Sequence, residues 1–184
     1  MNKKEREKQI IKNALKVFNQ NGYTKATTSS IAKEAGISEV TLFRYFNSKE
    51  EVFVKSIKLI FDTLLNNNEQ INQTLSKEEK FKYLLLDKIN LILKNKDSVL
   101  LLLNESNLIS KFQDRSFLEI IEEHFKSHFN MFNFNQKKQE IAIRLIMGSI
   151  LSFIYLPNSK HIKREDFIHE ISNMIFNTLD QGEI

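Results

Sequence analysis

Cysteine is absent from the 184 residues, which removes disulfides, thiol nucleophiles and thiolate metal sites together. One proline and four glycines leave the chain short of the residues that break helices or support hairpin turns. Apolar residues recur with a period near 3.6 over long stretches, so the scarcity predicts an all-α protein. The N-terminus is charged from Lys3 onward and has no apolar segment of the secretory type, which places the expected location in the cytoplasm. The longest apolar stretch, Ile141 to Leu156, has 16 residues and contains Arg144, against the ~20 apolar residues a membrane span needs. A helix buried in protein is expected there, and no membrane partner.

What the chain does have is concentrated between Thr27 and Lys49, which reads TTSSIAKEAGISEVTLFRYFNSK. Thr27 and Thr28 offer hydroxyls to the free amides of an opening helical turn. Ile31, Ala32 and Ala35 give that helix a small inward face. Gly36 takes most easily the left-handed conformation that ends a helix abruptly, and Ser38 is placed to cap the next one. The second helix is predicted from Glu39 to Phe46. At 100° per residue Leu42 and Phe46 share its inward face, while Val40 and Arg44 look out with Thr41 and Phe43 on the flanks. Two helices joined by a glycine turn at this spacing have the arithmetic of a helix-turn-helix DNA reader. An exposed valine can meet a thymine methyl in a major groove, and an arginine one turn away can grip guanine.

Charge is distributed to match. Residues 1–50 hold ten Lys or Arg and five Asp or Glu, so the +4 excess of the whole chain comes from this part. Lys3, Lys4, Arg6, Lys8, Lys12, Lys16, Lys25, Lys33, Arg44 and Lys49 form the footprint expected of a module that neutralises phosphates.

The rest reads as further helices. The first, over residues 3–20, has Ile10, Ile11, Ala14, Leu15, Val17 and Phe18 as its stripe and Asn21-Gly22 as its stop. With the pair above it makes a three-helix bundle over 1–47, and 48–184 is the second domain. Helices are predicted over 48–68, over 77–95 behind a Ser76/Glu79 capping box, and in a short apolar stretch after Asp97. Others run from Ser116 to Phe132, over 136–156 with Pro157 as the stop, and over 164–180, for about nine in all.

The segment ALKVFNQNGYTKATTSSIAKEAGISEVTLFRYFNSKEEVF, from Ala14 to Phe53, resembles the TetR/AcrR family of one-component bacterial transcription regulators. Its landmarks are Phe18 with Gly22-Tyr23, Ile31-Ala32, Ala35-Gly36-Ile37-Ser38, Thr41-Leu42-Phe43, Phe46 and Ser48-Lys49-Glu50. The resemblance implies a regulator of transcription, most often a repressor, that binds a palindromic double-stranded operator as a homodimer. The helices near 136–156 and 164–180 would pair with their mates. By position, Thr28, Thr41, Tyr45 and Lys49 look like phosphate contacts, and Ser29, Glu39, Val40 and Arg44 face bases or the groove. Phe43 stands where a phosphate-bonding tyrosine is frequent, and Glu39 where a basic or neutral residue is common. The resemblance also implies a ligand-binding and dimerisation part, 48–184, that takes a small apolar or amphipathic inducer. Twelve of the fifteen phenylalanines lie beyond residue 50, which suits an aromatic-lined pocket or a plain core. Tyr83, Asn104, Glu105, His124 and Tyr155 are the candidate polar groups of such a pocket.

No convergent acid, base and nucleophile set is visible, so an enzyme is not expected, nor a cofactor. His124 and His128 are four apart behind Glu122-Glu123, which supplies two ligands and no HExxH pattern; no metal site is expected there. The competing readings are a DNA-binding regulator without an inducer and a helical protein-interaction module.

Overall fold

The computed structural model of the chain describes residues 2–65, 74–132, 134–156 and 161–180, and among these there are ten α-helices and no strand. They are α1 (Lys3–Lys25), α2 (Thr28–Glu34), α3 (Glu39–Phe43), α4 (Lys49–Leu65), α5 (Lys77–Lys94), α6 (Lys96–Asn104), α7 (Ser106–Gln113), α8 (Phe117–Phe129), α9 (Gln136–Tyr155) and α10 (Arg164–Asp180). A 3₁₀ turn, Asn130–Phe132, follows α8. The expected count of about nine falls short by α7. Its periodic signal is two turns around Leu108, Ile109 and Phe112, and its stop is Asp114, a non-glycine residue at φ 56. Among the described residues no helix is long and apolar enough to cross a membrane. Pro157, expected to end α9, lies outside the described residues, as does the chain from 66 to 73 into which the fourth helix was expected to run.

Local capping explains most of the helix starts. Asn2 accepts from the Glu5 amide while the Glu5 carboxylate accepts from the Asn2 amide, both at 2.9 Å. Thr27 and Ser30 make the equivalent box at α2, and Ser76 and Glu79 at α5. A Ser76→Ala change removes the hydroxyl that accepts from the Glu79 amide at 3.2 Å, and should lower stability by about 1 kcal/mol in urea titrations. The first helix departs from expectation. Gly22, at φ 69 and ψ 175, breaks it as foreseen, but the chain then makes one further turn to Lys25.

By contacts the chain divides into two compact units, Met1–Asn67 with Asp97–Leu118, and Asn68–Lys96 with Glu119–Ile184. The first has Ile10, Phe18, Ile31, Leu42, Phe46, Phe53, Leu102 and Ile109 fully buried. The second is built around Phe81, whose ring lies 5.6–6.3 Å from those of Phe129, Phe132, Phe134 and Phe176. The phenylalanines named in each unit are core.

Candidate nucleic-acid interface

The turn between α2 and α3 is set by two backbone hydrogen bonds. The Gly36 amide donates to the Lys33 carbonyl at 3.1 Å and the Ile37 amide to the Ala32 carbonyl at 3.0 Å, the double closure that a left-handed residue allows. Gly36 supplies that residue at φ 64. Ser38 then accepts from the Thr41 amide at 3.1 Å and shares a hydrogen with the Thr41 hydroxyl at 2.8 Å. The two helices therefore start from side-chain caps and meet across a fixed corner.

The faces of α3 fall as its periodicity requires. Leu42 and Phe46 are buried at 1%, whereas Val40 is 67% and Phe43 49% exposed, with Glu39 and Arg44 also exposed. Regular helix stops earlier than expected, at Phe43. Arg44 and Tyr45 donate to carbonyls three residues back, at 3.1 and 3.0 Å, so the last turn is tightened and Phe46 still swings inward. Ser29 is exposed and Thr28, Thr41 and Tyr45 are half-buried. The Thr28 hydroxyl donates to the Glu39 carboxylate, which ties the N-terminus of α2 to that of α3. The acid that looked misplaced beside phosphates thus has a protein partner. The positive ends of two helix dipoles lie together at that bond, with Val40 and Arg44 on the next turn.

Lys49 is committed to a joint. Its ammonium donates to the carbonyls of Tyr23 and Ala26, each at 3.1 Å, and stands 4.2 Å above the Tyr23 ring. The Tyr23 ring packs against Phe18 and Phe53, and its hydroxyl donates to Glu50 at 2.7 Å. Burial, then this hydrogen bond and the charges of Glu50 and Glu105, push the phenol up to about 12. The Tyr23 amide donates to Glu105 at 2.9 Å, and a Cβ on Gly22 would lie 3.1 Å from the same carboxylate oxygen. Tyr23, Glu50 and Glu105 were not assigned to this joint in advance. The one sequence signal for it is the Gly22-Tyr23 pair that breaks α1.

The five candidate pocket residues are divided between the two units. Asn104 and Glu105 belong to the first unit and Tyr83, His124 and Tyr155 to the second. Tyr83 and Tyr155 are 46% and 59% exposed, and Glu105 is occupied by Tyr23. The second unit has an apolar void of about 10 Å³ lined by Phe81, Leu84, Leu85, Lys88, Phe125, His128 and Phe129, room for about one water. His124 stands beside it, its ring 4.3 Å from that of His128, with Nε2 buried and unbonded. Burial, and then the charges of His128 and Lys88, lower its pKa to about 4. Because the folded state holds this imidazole neutral, the unfolded chain binds the extra proton first. Stability should be complete above about pH 6.5 and decline as pH falls towards 4, a decline that thermal unfolding of His124→Gln should show flattened.

Residues 10–55 match the family profile described as bacterial regulatory proteins, tetR family. Over 67 residues the chain is 39% identical to the biofilm operon icaADBC HTH-type negative transcriptional regulator IcaR of Staphylococcus aureus, a match covering 36% of each protein. A second relative, the HTH-type regulator YuxN of Bacillus subtilis, is 42% identical over 59 residues, 32% of this chain and 20% of that one. The match thus spans about a third or less of the length of these curated relatives. Solved structures agree over far more of the chain. The fatty acid degradation regulator FadR of Bacillus halodurans superposes with a TM-score of 0.63, 21% identity and coverage of 99% of this chain and all (100%) of that one. A transcriptional regulator from Rhodococcus gives 0.68 at 14% identity, covering 96% and 99%. At such identities the likeness is one of fold.

Proposed function

Starting from a chain that belongs to the tetR family of bacterial regulatory proteins, we propose that it represses transcription as a homodimer bound to two inverted operator half-sites, each read by one copy of α3. The observation that carries this is the exposure of Val40 and Arg44 on the helix whose opposite face, Leu42 and Phe46, is fully buried. Base readout belongs to Ser29, Glu39, Val40 and Arg44, and phosphate or groove contact to Thr28, Thr41, Phe43 and Tyr45. Lys49 is also a phosphate contact: it holds the start of α4 through two carbonyls and, half-buried, keeps a third N–H for phosphate. The sign of regulation follows IcaR, which is named a negative regulator.

Residues 1–47 are the reading head of this proposal and 48–184 its ligand-binding and dimerisation part, in the cytoplasm. The dimer face is on α9 and α10. Ile141, Leu145 and Gly148 lie exposed along one side of α9, continued by Tyr155 and Leu156, and Met174 is exposed on α10. The inducer is a small apolar or amphipathic molecule. It lowers operator affinity by as much as it prefers a conformation in which the two heads are wrongly spaced. The void beside Phe81 has room for about one water, so an inducer seated there would require the phenylalanine cluster to open. The alternative is a regulator without an inducer. Saturating fatty acids or long-chain alcohols that shift neither the thermal midpoint nor operator affinity would identify it.

The deciding experiment is selection of bound DNA from a random pool at moderate salt, with the stoichiometry of the recovered complex. An inverted repeat carrying two or four subunits is the expected result. Recovery of no preferred sequence would overturn the proposal and leave a helical interaction module.

A further inference from the structure

The first unit carries a second basic surface apart from α3. Pairings between α1 and α4 run in opposite order along the two helices, Tyr23 with Glu50, Phe18 with Phe53 and Glu7 with Lys55, so the helices are antiparallel. Beyond the Phe18–Phe53 contact they enclose a groove of about 580 Å³. Its floor is Ile11 and Leu59, and its walls carry five lysines against Glu7 and Asp62.

Within that groove the charges divide into two groups. Lys55 is bonded to Glu7 at 2.6 Å and to Glu51 at 3.1 Å, so it pins the helices together and is neutralised. Lys4, Lys8, Lys12 and Lys58 are exposed and have no hydrogen-bond or ion-pair partner among the described residues. The first three stand at successive i, i+4 positions, one stripe with an axial step of about 6 Å. A line of uncompensated ammonium groups at regular spacing complements a line of phosphates better than a single compact anion.

Along α1 the lysines of the groove stand about 16 Å (Lys12) to about 28 Å (Lys4) from Tyr23 at the joint. We infer that the groove between α1 and α4 is a second DNA-backbone site, holding phosphates of the duplex that flanks the half-site. The inference rests on the operator-binding reading and extends it. Affinity is then divided between a sequence-reading head and a sequence-blind clamp on the same unit.

The test uses the full chain and two duplexes, the minimal selected operator and the same operator with about ten base pairs, one helical turn, of arbitrary sequence on each side. Flanks should tighten binding and steepen its salt dependence. In K4Q/K8Q/K12Q that gain should vanish, and the slope of log K against log salt should fall by about 0.9 for each lost contact. Between 50 and 200 mM salt this amounts to about a 40-fold smaller loss of affinity per subunit than for the unaltered chain. The charge-matched variant K94Q/K137Q/K163Q, altered at exposed lysines of the second unit, should retain the flank effect. Affinity indifferent to flanks, or equal behaviour of the two triple variants, would overturn the inference even where the minimal operator is still preferred over a scrambled one. Loss of that preference as well would bring down the operator reading with it.

Discussion

An I141E/L145E variant is expected to sediment as a monomer and to bind a two-half-site operator about 100-fold to 10,000-fold more weakly. The side chains are 39% and 44% exposed in the single chain, so glutamates there meet water and the fold should survive. In the proposed dimer the same positions meet across a two-fold axis. Four carboxylates would then be stripped of water beside one another. The affinity loss follows from tethering. With one head bound, a dimer presents the second at an effective concentration in the millimolar range, and a monomer loses that advantage entirely. Sedimentation and binding to one-half-site and two-half-site duplexes check both parts. Unaltered one-half-site affinity is expected. A variant that remains dimeric would place the interface elsewhere.

Arg44→Ala is the second large effect, and it should appear in selectivity. A guanidinium gripping a guanine edge contributes about 1–3 kcal/mol of discrimination, and a dimer uses it twice, so operator affinity should drop by roughly 30-fold to 25,000-fold. Binding to arbitrary DNA should lose only one charge per subunit. The exposed position of Arg44, on a turn whose backbone amide is already bonded to Thr41, makes a folding defect a poor explanation of any loss. A variant that keeps full, unaltered selectivity would remove Arg44 from base readout and shift attention to Val40 and Ser29.

The part of the molecule that could be read in advance is the part fixed by neighbours in sequence. Thr27, Gly36 and Ser38 act within three to five residues of themselves, so the corner between α2 and α3 follows from the order of residue types. The same holds for the Ser76 cap. What escaped depends on distant partners. Two turns of periodicity are too few to separate α7 from a loop. The bonds of Lys49 to the carbonyls of Tyr23 and Ala26 follow from how α4 meets α1. Helical periodicity fixes the face a residue occupies on its own helix and is silent about which other helix that face meets, so Glu105 reached the Tyr23 amide while Tyr83 and Tyr155 reached solvent.

The first unit is discontinuous, and that sets an order on its assembly during synthesis. Asn19 bonds Ser98 and Tyr23 bonds Glu105 across 79 and 82 residues of sequence, and Ile109 completes the core beside Phe53 and Ile57. At 5–20 residues per second the ribosome needs about 4–16 s to deliver the later partners after the earlier ones have emerged. Through that interval the nascent three-helix head holds an apolar flank open to solvent, at the stage when chaperones engage unfinished chains. A truncated product ending soon after α4 would keep that flank permanently, so the reading head should be recoverable in soluble form only when α6 and α7 have been translated with it.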